Sequence, residues 1–243
     1  MAIIAISGRM NSGKDTVGKI IQILTNFPEM SSERIVQHLN KDLTNNKFEI
    51  KKFADKLKDM VCLILGCTRE QLEDRDFKEK ELGEEWWVYD LGDHLVPRWG
   101  FDLNSDNEMC EERYLVKLTP RRILQLLGTE AGREIIHPLI WINALMSEYV
   151  AKGVPTRADS YYPNWIITDL RFKNELKAVK DRGGITIRVE RPNERETDAS
   201  ERALHPSETA LDNFKFDYVV YNTGTIEDLI KKIKDILIKE EII

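Results

Sequence analysis

Short apolar runs that end on small or acidic residues alternate along this chain with stretches whose apolar positions return at helical spacing. Residues 2–7, "AIIAIS", form the first run and stop at Gly8, the pattern of a fully buried strand. Val17, Ile20, Ile21 and Leu24 then share one face of a helix running from Lys14 to about Thr25. Residues 26–46 are polar with weak periodicity and predict a loop with a short helix. Residues 47–53 predict a second strand, and "ADKLKDMVCLILG" a helix that turns Leu57, Val61, Ile64 and Leu65 inward and stops at Gly66.

Residues 68–117 break this rhythm. They are highly charged, carry Trp86, Trp87 and Trp99, and sustain no period; they predict an insertion, helical near "REQLEDRDFKEKE" and otherwise irregular. Regular patterning resumes with "TPRRILQLLGTEAGREI", which opens on threonine and proline as a helix does, with Gly128 a candidate interruption. A further helix, "HPLIWINALMSEYVAKG", would stop at Gly153. "WIITD" predicts a buried strand ending in an acid, "RFKNELKAVKDRGG" a helix, "ITIRVER" a strand, "FDYVVYN" a last strand and "TIEDLIKKIKDILIKE" a last amphipathic helix capped by threonine. Alternation of buried-type strands with helices predicts an α/β fold of three layers around a mostly parallel sheet. One domain over residues 1–243 is expected, with the insertion at about 68–117 and a lid-like segment at about 191–208.

Composition narrows the class. Hydrophobic residues at 42% and charged residues at 32% describe a soluble globular chain. The net charge of −6 argues against a broad basic surface for duplex DNA. Cys62, Cys67 and Cys110 show no metal-ligand spacing and read as buried, reduced thiols of a cytoplasmic protein. The apolar start is too short for a signal peptide or a membrane span.

The chemistry begins where the first strand ends. Gly8, Gly13 and Lys14 fit G-x-x-x-x-G-K, with Asn11 and Ser12 inside the loop and Thr16 just past it. Glycines allow a tight turn with backbone N–H groups aimed inward, the following helix adds its positive end, and the lysine reaches the outer phosphates. The strand before the motif and the helix after it raise this reading above a chance match. Asp15 stands where such loops usually carry a magnesium-binding hydroxyl; it could bind the metal directly, bind it through water, or cap the helix. Asp169, at the end of "WIITD", is a second candidate for Mg2+ or for orienting a substrate. Arg171 and Glu175 follow it at the carboxyl edge of the sheet, and arginine suits bidentate phosphate capture. Arg122, Gln125, Thr129 and Arg133 recur near helical spacing, and Arg191, Arg195 and Arg202 lie in a polar segment that could close over donor phosphates. Trp141 falls on an apolar helix face, as core or as a base-stacking ring. His137 and His205 precede proline and read as structural.

Taken together, "SGRMNSGKDT", "FADKLK", "LLGTEAGREI…WINAL", "ITDLRFKNE" and "YNTGTIEDL" resemble the bacteriophage deoxynucleoside monophosphate kinases, adenylate-kinase-like phosphate-loop enzymes. The resemblance spans nearly the whole chain, weakest at residues 68–117. It implies transfer of the ATP γ-phosphoryl group to a deoxynucleoside monophosphate. It assigns ATP to Gly13, Lys14, Asp15 and Thr16; the loop residues Gly8, Asn11 and Ser12 and the arginines Arg191 and Arg195 are expected on the same donor from the residue pattern, with Asp15 and Asp169 toward Mg2+. It assigns the monophosphate to Lys56, Gln125, Thr129, Arg133, Trp141, Asp169, Arg171 and Glu175. Lys14, Arg133, Asp169 and Arg171 would carry the catalysis, by positioning and charge rather than through a covalent intermediate. The implied partners are ATP and a deoxynucleoside monophosphate, with no duplex nucleic acid and no membrane; the resemblance leaves room for a homodimer, and a phage protein would act in its host's cytoplasm. The rival readings are a kinase of another small phosphorylated acceptor, of the dephospho-coenzyme A or phosphomevalonate type, a nucleotide-dependent binding module, and a DNA-end kinase, which the acidic balance disfavours.

Overall fold

A computed structural model of the protein describes residues 2–41, 43–90, 92, 95–97, 115–152, 161–191 and 210–243. In chain order its strands are β1 (Ile3–Ser7), β2 (Glu49–Lys51), β3 (Trp87–Asp90), β4 (Leu95–Pro97), β5 (Leu115–Lys117), β6 (Trp165–Ile167), β7 (Ile185–Glu190) and β8 (Tyr218–Tyr221). The principal helices are α1 (Lys14–Asn26), α2 (Ser32–His38), α3 (Asp55–Leu65), α4 (Arg69–Glu73), α5 (Arg75–Glu79), α6 (Pro120–Gln125), a π-helix (Leu126–Ile136), α7 (Ile140–Met146), α8 (Lys173–Lys180) and α9 (Ile226–Lys239). The chain divides into two compact units, Met1–Phe53 with Ile142–Ile243, and Ala54–Trp141.

In the first unit the order β2-β6-β1-β7-β8 makes one sheet, parallel at every pairing. β1 is central and buried on both faces, which is why its sequence is unbroken apolar and not alternating. Ile4 and Ile6 pack with Val17, Ile20, Ile21 and Leu24 of α1 and with Leu229, Ile230 and Ile233 of α9. Ile3 and Ala5 face the opposite layer, with Ile142 and Leu145 of α7, Val179 of α8 and Trp165. Helices therefore cover both faces, as the alternation of elements predicts. Thr225 caps α9 as expected: its hydroxyl accepts the Asp228 N–H at 3.2 Å, and the Asp228 carboxylate accepts from Thr225 N at 3.0 Å.

In the second unit Leu57 and Val61 of α3 bury against Leu72 and Trp141. This unit takes in α3 and the residues 120–136, and so is wider than the segment 68–117 that the sequence sets apart. Within that segment α4 and α5 lie where "REQLEDRDFKEKE" predicts helix, each capped by a side chain, Thr68 and Asp74. The rest of it is not merely irregular: β4, β3 and β5 pair antiparallel, in that order. "WVYD", "LVP" and "LVK" are too short for alternation to show.

Three further expectations need correction. Gly128 does not interrupt the helix after Pro120; the helix runs through it and widens from α to π. Gly128 and Gly132 permit close approach there, since a Cβ on Gly128 would lie 2.8 Å from Leu57 Cδ2 and one on Gly132 3.0 Å from the Trp141 ring. The helix containing Trp141 ends at Met146, well before Gly153, which lies outside the described residues. Tyr149 leaves it to stack on Tyr162 and to meet Trp165 edge-on. Cys62 and Cys67 are half-buried, not core; Cys110 lies outside the described residues. Among the described residues no helix is long and apolar enough to cross a membrane.

Candidate functional site

The turn from β1 into α1 occupies residues 8–13 at the carboxyl edge of the sheet, where open α/β sheets bind ligands. Two residues in it adopt left-handed backbone, Asn11 at φ 63° and Gly13 at φ 97°. Asparagine tolerates that region and glycine occupies it at no steric cost. A Cβ on Gly8 would lie 2.7 Å from the Val189 carbonyl oxygen of β7, so the first glycine of the motif is needed for space. Ser12 N donates to the Arg9 carbonyl at 3.2 Å, and Lys14 Nζ donates to the same oxygen at 3.2 Å. The lysine ammonium thus lies over the loop. Gly13 brings no capping side chain, so nothing of that kind competes for the first-turn donors of α1. Asn11, Gly13, Lys14, Asp15, Thr16 and Arg191 line a cavity of about 380 Å³. A second cavity, of about 410 Å³, opens near Lys19, Gln22 and Glu49 and holds none of the predicted site residues.

Asp15 has partners that sequence reasoning missed. Its Oδ1 accepts from Thr168 Oγ1 at 3.2 Å and pairs with Lys52 Nζ at 3.1 Å. Burial works to raise the Asp15 pKa; the Lys52 ammonium, with Lys14 and the Thr168 hydroxyl, outweighs it and holds the carboxyl below its ordinary value. Asp169 follows Thr168 directly. Its Oδ1 accepts the Phe53 N–H at 2.8 Å, tying the end of β6 to the end of β2, while Leu170 N donates to the Ile6 carbonyl of β1 at 3.1 Å. The ends of β1, β6 and β2 are thereby joined, and Asp15, Lys52, Thr168 and Asp169 gather beside the phosphate-type loop.

Arg171 and Glu175 stand at the head of α8. Glu175 is 1% exposed, and its Oε2 accepts the N–H groups of Arg171 at 2.9 Å and Phe172 at 3.1 Å. That is the helix-capping role of an acid in the first turn. Arg171 is half-buried. In the second unit, Lys56 is exposed in the first turn of α3, and Gln125, Thr129 and Arg133 are half-buried where α6 passes into the π-helix. π-Helical turns are rare, and those set into α-helices are frequent at functional sites. Trp141 is 3% exposed, and its Nε1 donates to the Gly128 carbonyl at 2.8 Å, so it is a core residue of that unit. Arg195 and Arg202 lie outside the described residues.

Further contacts at the loop carry no local sequence signal. Asn222 Nδ2 donates to the Ser12 carbonyl at 3.0 Å. Arg188, on β7, donates to Ser7 Oγ at 3.0 Å and to Asp212 Oδ1 at 2.6 Å, while the other oxygen of Asp212 takes Arg9 Nη2 at 3.0 Å. Among the described residues no group of three or more His, Cys, Asp or Glu side chains forms a ready metal cage.

Comparison with known proteins adds the following. The family model described as deoxynucleotide monophosphate kinase matches residues 101–233, more than half of the chain. The deoxynucleoside-5'-monophosphate kinase of Escherichia phage T5 is 26% identical over 238 residues, covering 86% of this chain and 84% of its own length. The deoxynucleotide monophosphate kinase of Enterobacteria phage T4 is 30% identical over 117 residues, 48% of this chain and 44% of the relative. A protein of Acanthamoeba polyphaga mimivirus, named as a putative kinase of the same kind, is 30% identical over 130 residues, 47% of this chain and 59% of the relative.

Proposed function

The chain belongs to the deoxynucleotide monophosphate kinase family, and from that premise we propose that it transfers the γ-phosphoryl group of ATP to a deoxynucleoside 5'-monophosphate, giving the diphosphate. The observation that carries the proposal is the cavity formed by the loop residues Asn11, Gly13, Lys14, Asp15 and Thr16 with Arg191, at the edge where Asp15 and Asp169 are also gathered. An anionic donor fits the backbone donors and positive end of α1 and the charges of Lys14 and Arg191. Gly8 and Ser12 shape the loop, and Arg195 would join Arg191 on the donor side.

The donor set suits Mg2+. This ion takes one or two carboxylates and fills its remaining positions with phosphate oxygens and water, and Asp15 is held anionic within hydrogen-bond reach of the residue next to Asp169. Asp15 and Asp169 would hold it; when bound it supplies neutralising charge at the donor phosphates. Arg171 would receive the acceptor phosphate, with Glu175 fixing its backbone. Lys56, Gln125, Thr129, Arg133 and Trp141 enter the proposal through the family motif, with Arg133 balancing charge on the transferring group and Trp141 acting through the π-helix it supports. The acceptor oxygen is already anionic, so no general base is required; the residues position the reactants and neutralise charge. For a chain with phage relatives the substrates lie in the host cytoplasm.

The test is a coupled assay of diphosphate formation with ATP, Mg2+ and each deoxynucleoside monophosphate in turn, with ribonucleotides as controls. Turnover on one or more deoxynucleotides is expected. ATP binding without turnover on any of them would refute the acceptor assignment and favour another small phosphorylated acceptor.

A further inference from the structure

We infer that Asn222 is the positioning residue of the phosphate loop: its side-chain amide sets the orientation of the Ser12–Gly13 peptide and so aims the Gly13 N–H at the donor phosphates. The inference rests on the reading of this loop as the ATP cradle. The Ser12 carbonyl can only accept a hydrogen bond, so the Asn222 amide nitrogen, 3.0 Å away, is the atom that fits it. In a trans peptide the C=O and the following N–H point in opposite directions. With the Ser12 carbonyl held toward Asn222, the Gly13 N–H is held away from it, on the side where Gly13 borders the cavity with Lys14 and Arg191.

The contact is close on the glycine as well. A Cβ on Gly13 would lie 2.6 Å from Asn222 Nδ2, so the amide nitrogen comes up against the bare Cα. Gly13 is therefore required twice, by its φ of 97° and by Asn222. The backbone at Asn222 is hydrogen-bonded on both sides of the turn into α9. Its own N–H donates to the Glu190 carbonyl at 2.7 Å, extending the β7–β8 ladder by one residue, and Thr225, three residues on, caps α9. Glu190 directly precedes Arg191, so the same residue braces the loop with its side chain and the base of Arg191 with its backbone. Asn222 is half-buried and belongs to no hydrophobic cluster, so its replacement leaves the core intact.

Asn222→Asp keeps the shape and replaces the donor by an oxygen that repels the Ser12 carbonyl; Asn222→Ala removes the contact. Binding of Mg·ATP and of inorganic tripolyphosphate to the full chain, by calorimetry, is expected to weaken about tenfold in both variants, the worth of one well-placed hydrogen bond. Equal losses for the two ligands locate the effect at the phosphates and not at the base. KM for ATP rises by the same factor, and KM for the monophosphate stays within about twofold. Wild-type ATP affinity in Asn222→Asp overturns the inference, as does an equal loss for donor and acceptor, which a general structural role would give. Failure of the unaltered chain to bind either ligand overturns the cradle reading, and this inference with it.

Discussion

Replacement of Asp212 by alanine tests the charge arrangement behind the loop. Arg188 is the only buried arginine among the described residues, at 8% exposure. Its guanidinium lies 5.8 Å over the Phe216 ring, donates to Ser7 and Asp212, and has Glu190 Oε1 at 3.9 Å. Removing one partner of a buried ion pair costs about 3–5 kcal/mol, because the other charge stays buried. Asp212 is 27% exposed at its side chain and Glu190 remains nearby, which brings the expected loss for Asp212→Ala to about 2–3 kcal/mol. Hydrogen exchange on peptides covering β1 and β7 reads this within the first unit and should accelerate about 30- to 150-fold. Arg188→Met keeps an apolar stem and leaves behind only the part-exposed Asp212, which retains its partner Arg9; with no charge left buried and unpaired, it should cost under about 1 kcal/mol. Exchange within twofold of the parent in Asp212→Ala, or a larger loss in Arg188→Met than in Asp212→Ala, would refute the reasoning.

Lys14→Ala should reduce turnover by on the order of 100-fold or more with exchange protection retained in β1 and α9; near-normal turnover would remove the loop from the chemistry. For Asp217, burial works to raise the carboxyl pKa, and Lys180 at 2.7 Å with the N–H and hydroxyl of Thr186 at 2.8 Å outweigh it, leaving it below the ordinary value. A depressed folded-state pKa adds stability above the unfolded value that is lost as pH falls through the folded one, so urea midpoints should drop below about pH 4 and Asp217→Asn should flatten that slope; an unchanged acid slope would contradict the assignment. Trp141→Phe leaves the Gly128 carbonyl without its indole donor and opens a void, at a cost of about 2–3 kcal/mol read as faster exchange across residues 126–136; a change below about 0.5 kcal/mol would mean the hydrogen bond does not support the π-helix.

The parts of the site that read directly from sequence are those whose chemistry is contiguous. Gly8, Gly13 and Lys14 lie within one turn between a strand and a helix, and Asp169 ends an apolar run, so strand pattern and residue type suffice. The braces around them are different. Thr168 lies 153 positions from Asp15 and Asn222 lies 210 from Ser12. A polar residue at a strand end does not announce which loop it faces until the order β2-β6-β1-β7-β8 is known. Glu175 illustrates the converse: an acid one turn past Arg171 invites a functional role, and the same spacing is that of a first-turn acid capping α8. The strands of residues 87–117 and the widening at Gly128 were illegible because three- and four-residue strands carry no period, and because α- and π-helix place Gln125, Thr129 and Arg133 on similar stripes.

Asp15 is best understood with Lys52 as one unit. A carboxylate where a neutral hydroxyl usually stands adds a negative charge to a pocket for phosphates. Two unit charges 4 Å apart repel by about 4 kcal/mol near a protein surface and about 1 kcal/mol in bulk water, enough to weaken an anion noticeably. Lys52 Nζ at 3.1 Å returns the pair to neutrality, and Thr168 Oγ1 at 3.2 Å fixes the carboxylate that the lysine balances. The lysine directly follows β2, and the residue after it, Phe53, donates its N–H to Asp169. The departure in the loop and the acid just past β6 are therefore coupled through one short strand end, and the Lys52 ammonium offsets the charge that the carboxylate brings.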